Sequence, residues 1–435
     1  MQLKQTMAKK KFGWGKNISI LSKTYEPNSI KELSAFLNNT KSSLLTRGSG
    51  RSYGDTSLSK NIISLSKLNN INYFDKKNGV IEVEAGITIE NLLKEIIPHG
   101  WFLNVVPGTQ FITVGGAISC DVHGKNHHRD GCFSDYCTNI IFIDKHRRLI
   151  NCSPKEKSGY FNAICGGIGL IGVIVKVRIK LLRIKSNLII QKIVKEKSID
   201  ACLNLLERNK NYKYSVSWVD FLNKNNNNDY NCISYFGNHY NKKKELKFII
   251  NKKKKILLLL LKACFSINIL KLFNFLKFNL IFFNKNEKLI NYKEFFFPLD
   301  DILKWNTIYG RKGFLQYQFV ISKKKVNKIL RKINKLNLKP TLVVLKVLGK
   351  ENKNFLSFPK KGITFAMDFI NTKENIKKLK VLNKQLLLDD GRVYLAKDSV
   401  INYKDFRKMY PNWTKIKKYK NKFFSSKQSK RLKFK

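Results

Sequence analysis

Residues 48–55 read Gly48-Ser49-Gly50-Arg51-Ser52-Tyr53-Gly54-Asp55, directly after a strand-like run, Ser43 to Thr46, that is apolar at its centre. Small residues in succession after a strand expose a row of backbone N–H groups, a concave nest suited to a diphosphate. One such loop is weak evidence, because ordinary tight turns use the same residues. Two more follow: Pro107-Gly108-Thr109 running into Thr113-Val114-Gly115-Gly116-Ala117, and Gly166-Gly167-x-Gly169-x-x-Gly172. Three such loops between residues 48 and 172 point to a large phosphate-bearing cofactor lying across this part of the chain. The third also matches the dinucleotide pattern G-x-G-x-x-G, which requires a helix after the glycines. Here Val173 to Ile179 continues as a β-branched strand. A Rossmann site is therefore disfavoured, and the glycines read as points where backbone comes close to a ligand.

Outward from these loops, glycine divides the 435 residues unevenly: 18 of 24 lie within the first 172. The first part reads as short strands punctuated by glycine turns, an α+β domain. Val80 to Ala85 alternates, and Gly86 and Thr88 open a helix whose Leu92, Leu93, Ile96 and Ile97 share a face and which ends at Pro98. Leu103 to Val106 and Val173 to Leu182 are expected strands. From about 186 to 392, the runs Phe314 to Ile321, Leu342 to Leu348 and Ile363 to Phe369 are separated by Lys-rich helical stretches such as Val326 to Leu336. This pattern predicts a sheet covered by helices on one side. Within it, Lys252 to Lys255 precede an apolar stretch, Ile256 to Phe283, interrupted by Lys262, Lys271 and Lys277. Its uncharged runs fall far short of the roughly 20 residues that span a bilayer. It reads either as a segment lying on an anionic membrane surface or covering an apolar ligand, or as a buried helical pair. The last 25 residues carry ten basic residues and no acidic one, and read as a solvated last helix with a frayed tail.

The formal net charge is +54, which alone suggests nucleic acid or an anionic membrane as partner. Yet 71 of the 84 basic residues are Lys and only 13 are Arg. With Asn, Ile, Tyr and Phe also abundant, the excess reads as an A/T-rich coding bias spread over a solvated surface, and no nucleic-acid partner is expected. The eight cysteines contain no C-x-x-C, which disfavours structural zinc, iron–sulfur and a disulfide framework and fits a reducing compartment. Met1 to Lys16 is basic without an apolar core, so no signal peptide is evident and a cytoplasmic location is expected, with peripheral contact at the inner membrane surface left open.

Three of the six histidines fall in Cys120-Asp121-Val122-His123-Gly124-Lys125-Asn126-His127-His128. A metal site, a structural cluster and a polar wall beside a reactive cofactor are the three readings. The spacing matches no helical His-x-x-x-His pair with an acid between, which favours the polar wall, with no metal.

Taken together, Gly50-Arg51-Ser52-Tyr53-Gly54-Asp55, Pro107-Gly108-Thr109, Thr113-Val114-Gly115-Gly116-Ala117-Ile118, His123 to His128 and Gly166 to Gly172 resemble the FAD-binding half of vanillyl-alcohol-oxidase-type (PCMH-type) flavoproteins. The likeness is greatest to the oxidase subunits of decaprenylphosphoryl-β-D-ribose 2′-epimerases. It continues in order through Ser215 to Trp218, Gly313 to Val320, Leu356 to Pro359 and Tyr394-x-Ala396-Lys397-Asp398-Ser399, and omits only Lys252 to Ile290. The resemblance implies a two-domain α+β fold: residues 10–185 form the FAD-binding domain, 186–392 an antiparallel-sheet substrate domain with a basic apolar insertion at 244–290, and 393–435 a return to the FAD domain. It implies that FAD is held by Gly50, Arg51, Ser52, Tyr53, Gly54, Pro107, Gly108, Thr109, Thr113, Gly115, Gly116, Cys120, His123, Gly124, Gly169, Gly172, Ile174 and Tyr394. Lys397, His123, Gln318 and Lys125 would be catalytic, and Tyr53, Lys125, Gln316, Gln318, Lys346 and Lys397 would face the substrate. Some relatives tether FAD through a histidine beside the first glycine loop; Arg51 holds that place here, so non-covalent FAD is expected.

The activity so implied is oxidation of the 2′-hydroxyl of a polyprenyl-phosphoryl ribose to the keto sugar. An NADH-dependent short-chain reductase would then complete epimerisation to an arabinose donor for cell-envelope polysaccharide. Departures from the pattern are Phe296 and Phe297 before Pro298, where relatives tend to have Tyr and His, and Thr364 and Ala366 in place of Asn and Cys. These remove polar groups from the expected substrate wall. The alternative is an FAD-dependent sugar or aldonolactone oxidase, whose usual His-Trp-x-Lys signature near the end is missing here.

Overall fold

The computed structural model describes residues 7–225, 229–244, 246–248, 266–280, 287–302, 304–420 and 422–434. Ser29 begins the first helix by accepting a hydrogen bond from the Glu32 amide, and Leu33 and Leu37, one turn apart on Ile30–Asn39, are fully buried. That helix supplies the crossover needed by a small sheet in which Ser19–Tyr25 and Leu45–Thr46 both run parallel to Asn61–Ile63, with Lys9–Phe12 antiparallel at the edge. A second sheet is antiparallel, ordered Ile71–Asp75, Val80–Glu84, Val173–Lys180, Cys137–Ile143, Leu149–Cys152. Its alternation is the expected one: Ile81 and Val83 point inward and are fully buried. Thr88 caps the helix Ile89–Ile96, whose Leu92, Leu93 and Ile96 pack into the same core.

Beyond residue 187 an eight-stranded antiparallel sheet runs in the order Lys288–Asn291, Leu188–Glu196, Tyr230–His239, Tyr214–Lys224, Leu342–Leu348, Gly362–Ile370, Phe314–Ile321, Arg392–Val393. Its two faces differ in chemistry because side chains alternate. Tyr317, Phe319, Val343, Leu345, Phe365 and Met367 join a core with Ile329 and Ile333 of helix Val326–Lys335 and Leu379, Leu382 and Leu386 of helix Lys373–Leu388. Burial of that apolar face, at roughly 25 cal/mol per Å2, binds the helices to one side of the sheet. The other face carries Gln316, Gln318, Lys346, Ala366 and Asp368 and turns toward the glycine loops. The result is a two-domain α+β architecture.

Four expectations are corrected. Leu103 to Val106 is not a strand; pairing stops at Trp101–Phe102. Side chains hold the following segment instead: the Asn104 amide donates to the Lys180 carbonyl and the Asn104 carbonyl accepts from Asn126. Residues 113–117 are not an open loop, because Thr113 Oγ1 accepts from Gly116 N and starts the short helix Val114–Ser119. Nor is the C-terminus frayed: Lys427–Arg431 forms a helix, with Leu432 and Phe434 buried after it. Finally, Ile267–Leu280 is a helix lying on the large sheet with Leu272, Phe273 and Leu280 exposed, and is not buried. The remainder of that basic apolar insertion at 245, 249–265 and 281–286 lies outside the described residues.

Candidate active site

A cavity of about 550 Å3 is lined by the glycine loops on one side and the polar face of the large sheet on the other. Its first wall is built by backbone. Residues 48–52 line it, and none of their N–H groups makes a hydrogen bond to a described residue. Gly50 sits at φ +66°, and a Cβ there would fall 2.1 Å from the Arg47 guanidinium, which is itself fixed on the carbonyls of Ser57 and Phe12. A Cβ on Gly48 would fall 2.3 Å from Thr113 Oγ1, the atom that caps the next glycine-rich element. Gly108 meets nothing within 4 Å, so its backbone is open to the cavity.

The floor follows from strand register. Gln316, Asp368 and Leu342 form one rung, Gln318, Ala366 and Val344 the next, and Thr364 with Lys346 the third. Gln316 Nε2 donates to Asp368 Oδ1 at 2.7 Å. Gln318 Nε2 lies 3.1 Å from His123 Nε2 and 3.2 Å from Thr364 Oγ1, whose own hydroxyl donates to the Phe319 carbonyl. Donation from Gln318 to Nε2 leaves the proton of a neutral imidazole on Nδ1, and Nδ1 is buried without a partner.

A third wall comes from the chain after the last strand. Tyr394 N donates to the Gln318 carbonyl, and Tyr53 N donates to the Ala396 carbonyl. Lys397 Nζ then stands 3.6 Å from the centroid of the Tyr53 ring. Lys346 and Lys397 line the cavity and are half-buried. Burial holds Lys397 down to about 7, against the pull of Asp368 and with a further push from Lys346. It holds Lys346 down to about 8, and it raises Asp368 to about 7. Burial, helped by Lys346 and His127, keeps His123 well below its ordinary range. An enclosed site with several cationic side chains and unpaired N–H donors is complementary to an anionic ligand.

Of the expected residues, Gly54, Gly124 and Lys125 do not line the cavity, whereas the others named do. A Cβ on Gly54 would fall 1.9 Å from the Asp398 carbonyl, so that glycine serves close packing of the first loop on the chain return. A Cβ on Gly124 would meet Asn126 Oδ1 at 2.5 Å. Lys125 donates to the Phe295 carbonyl and lies 4.5 Å from the Phe295 ring; burial, with Lys346, takes it down to about 7. The other two histidines of the cluster serve packing: His127 Nδ1 accepts from Gly349 N, and His128 meets the Tyr212 carbonyl.

Trp14, Asp300 and Asp368 escaped sequence reading. Arg51 stacks 3.8 Å from the Trp14 ring centroid and 5.1 Å from that of Phe111. Asp300 accepts from Gln110 N at 2.8 Å, tying the large-sheet half to the second glycine loop, and burial raises it to about 6. No local signal marks Trp14 or Asp300. Asp368 was detectable, two residues from Ala366 on the same strand face.

The residues present fit FAD: five adjacent N–H donors without a partner among the described residues, suited to a diphosphate, an open glycine backbone at 108, and a buried His123 Nδ1 without a partner among the described residues. A family model described as an FAD binding domain matches residues 23–153. Decaprenylphosphoryl-β-D-ribose oxidase of Mycolicibacterium smegmatis is 30% identical over 440 residues, covering 95% of this chain and 94% of the relative. Shorter matches include a D-lactate dehydrogenase of Anaerostipes hadrus, 26% identical over 33% of this chain and 31% of the relative. A putative D-arabinono-1,4-lactone oxidase of Neurospora crassa is 26% identical over 38% and 31%. With a cradle suited to its cofactor and a relative matched almost end to end, the chain belongs to the FAD-binding PCMH-type oxidoreductases of the vanillyl-alcohol-oxidase superfamily and is an FAD-dependent enzyme.

Proposed function

We propose that this enzyme oxidises the 2′-hydroxyl of a polyprenyl-phosphoryl ribose, with residues 10–185 and the return from 393 holding FAD and residues 186–392 shaping the sugar site. The observation that carries this reading is the floor of the cavity: two glutamines and Lys346 on one sheet face, opposite Lys397, around an apolar centre of Leu342, Val344 and Ala366. The near full-length likeness to an oxidase of that substrate type supports the same choice. FAD supplies the hydride acceptor. The chain must then hold the sugar carbon against the ring and receive the hydroxyl proton. Lys397, held near 7, serves as the amine that takes that proton, and Gln316 and Gln318 orient the sugar hydroxyls. His123 anchors Gln318 through Nε2, and Lys346 offsets the charge of the phosphodiester. Lys125 lies behind the site, donating to the Phe295 carbonyl, and takes no direct part in this reading. Arg51, clamped on Trp14, stands where some relatives carry the histidine that tethers FAD, and this reading takes FAD as non-covalently held. By the logic of an epimerisation, a separate NADH-dependent reductase consumes the keto sugar.

Contact with a membrane surface belongs to the same reading. Helix Ile267–Leu280 turns its polar side to the sheet: Asn274 donates to Asp220 Oδ1 at 2.9 Å, and Lys277 lies over Trp218 at 4.3 Å. Ile269, Leu272, Phe273, Leu276 and Leu280 form the opposite stripe and are exposed. Among the described residues no helix is long and apolar enough to cross a membrane.

The deciding experiment is anaerobic bleaching of the bound flavin. Polyprenyl-phosphoryl ribose should bleach it, gulonolactone should not, and acid denaturation should release the FAD into solution. Lys397→Ala should keep its flavin and lose bleaching by about 100-fold or more. Bleaching by gulonolactone alone would replace this reading with the lactone oxidase.

A further inference from the structure

The C-terminal helix reaches the loops behind the active site through Arg431 and Gln428. We propose that Arg431 is a positioning residue for Lys397, tying the loop that carries this lysine to the loop that carries Tyr53 and so holding the amine over the ring. The inference rests on the reading of Lys397 given above.

Asp55 lies two residues after Tyr53, and Asp398 directly follows Lys397. Arg431 Nε and Nη2 donate to the two oxygens of Asp55 at 2.9 and 2.8 Å. Nη2 also donates to Asp398 Oδ2 at 2.8 Å, and Nη1 donates to the Ile401 carbonyl. The other oxygen of Asp398 accepts from Val400 N and Ile401 N at 2.7 and 2.9 Å, which sets the turn after the lysine. The side chains of Asp55 and Asp398 are 2% and 0% exposed. Among the described residues no other cation pairs with either.

Two carboxylates brought this close in a low-dielectric interior repel each other unless a cation lies between them. The planar guanidinium can serve both at once, whereas an ammonium is a single point of charge. Neutral bonds from the first loop and from the C-terminal helix converge on the same backbone: Thr56 Oγ1 and Gln428 Nε2 both donate to the Leu395 carbonyl, at 2.9 and 2.8 Å. These fix the main chain around residue 395. Arg431 fixes what lies just beyond Lys397, and the 3.6 Å approach of Nζ to the Tyr53 ring depends on both loops keeping their spacing. A displacement of about 1 Å at such a group is enough to slow a reaction by up to 100-fold.

The test uses the full-length holoenzyme. Arg431→Lys keeps a charge for one carboxylate and loses the fork. It should bind FAD at the wild-type ratio, with the maximal bleaching rate lowered about tenfold or more and half-saturation by polyprenyl-phosphoryl ribose changed less than about twofold. Amide hydrogen exchange, which needs no substrate, should quicken in 53–58 and 394–401 and stay at wild-type level elsewhere. Wild-type bleaching with unchanged exchange overturns the proposal, as does exchange quickened throughout the molecule, which marks a purely structural role. Should Arg431→Lys fail to fold, Asp398→Asn, which leaves the Arg431–Asp55 pair intact, is expected to slow bleaching in the same way; a wild-type rate there is equally fatal. Lys397→Ala measured in parallel separates the failures. If it bleaches normally, the role of Lys397 falls and this one with it; if it is inert while Arg431→Lys is normal, only the role of Arg431 falls.

Discussion

At the scale of single residues, the site trades stability for chemistry. Lys397 is held down to about 7 from 10.5, chiefly by burial. The folded protein therefore binds fewer protons than the unfolded chain between about pH 7 and 10.5, and through this group stability rises with pH across that window. The penalty is full below pH 7, where both states are protonated, and absent above 10.5, where neither is. Lys397→Met should thus stabilise the FAD-free protein at pH 6 by on the order of 1–2 kcal/mol, an increment that shrinks to nothing toward pH 10.5. Thermal unfolding across that pH range measures it; an equal gain at both ends would show that packing, not charge, was responsible.

At the scale of elements, the first glycine loop is a shape that side chains cannot copy. Gly50 at φ +66° lies where an L-residue costs about 1–2 kcal/mol, and its missing Cβ leaves the place taken by Arg47. Gly50→Ala should weaken FAD binding by about tenfold or more through strain of that order, with the large sheet unaffected. Titration of the FAD-free protein by flavin fluorescence quenching reads this directly. An unchanged affinity would remove the loop from the cofactor cradle.

At the scale of the whole molecule, the proposed membrane contact combines charge with one apolar stripe. On the proposed reading, a net charge of +54 would attract an anionic surface at long range, and the outward face of Ile267–Leu280 would supply the apolar contact. The enzyme should co-sediment with phosphatidylglycerol vesicles in low salt and not with phosphatidylcholine vesicles. Replacing Leu272, Phe273 and Leu276 by Ser should leave a weaker association that about 0.3 M salt abolishes, because only the screened part survives. Equal sedimentation of this variant and the wild type in that salt would rule out the stripe as the contact.

The primary sequence by itself determined the α+β class, three strands of the large sheet and a phosphate-bearing cofactor, because alternation, caps and glycine nests are short-range signals written in neighbouring residues; that the cofactor is FAD came from the family resemblance of the ordered motifs. Ile81 and Val83, Thr88, and Gly48 to Ser52 could each be read in place. It also misled where long-range partners outvote local pattern: apolar Leu103 to Val106 is buried yet unpaired, since side chains from 104 and 126 take the backbone bonds. Only tertiary structure decided that Asp300 reaches Gln110, that Asp368 lies beneath Gln316, and that Arg431 joins Asp55 to Asp398 across 376 and 33 positions of chain. Such contacts depend on which strands become neighbours, and that choice is made by burial of whole faces, not by any residue's own surroundings in sequence.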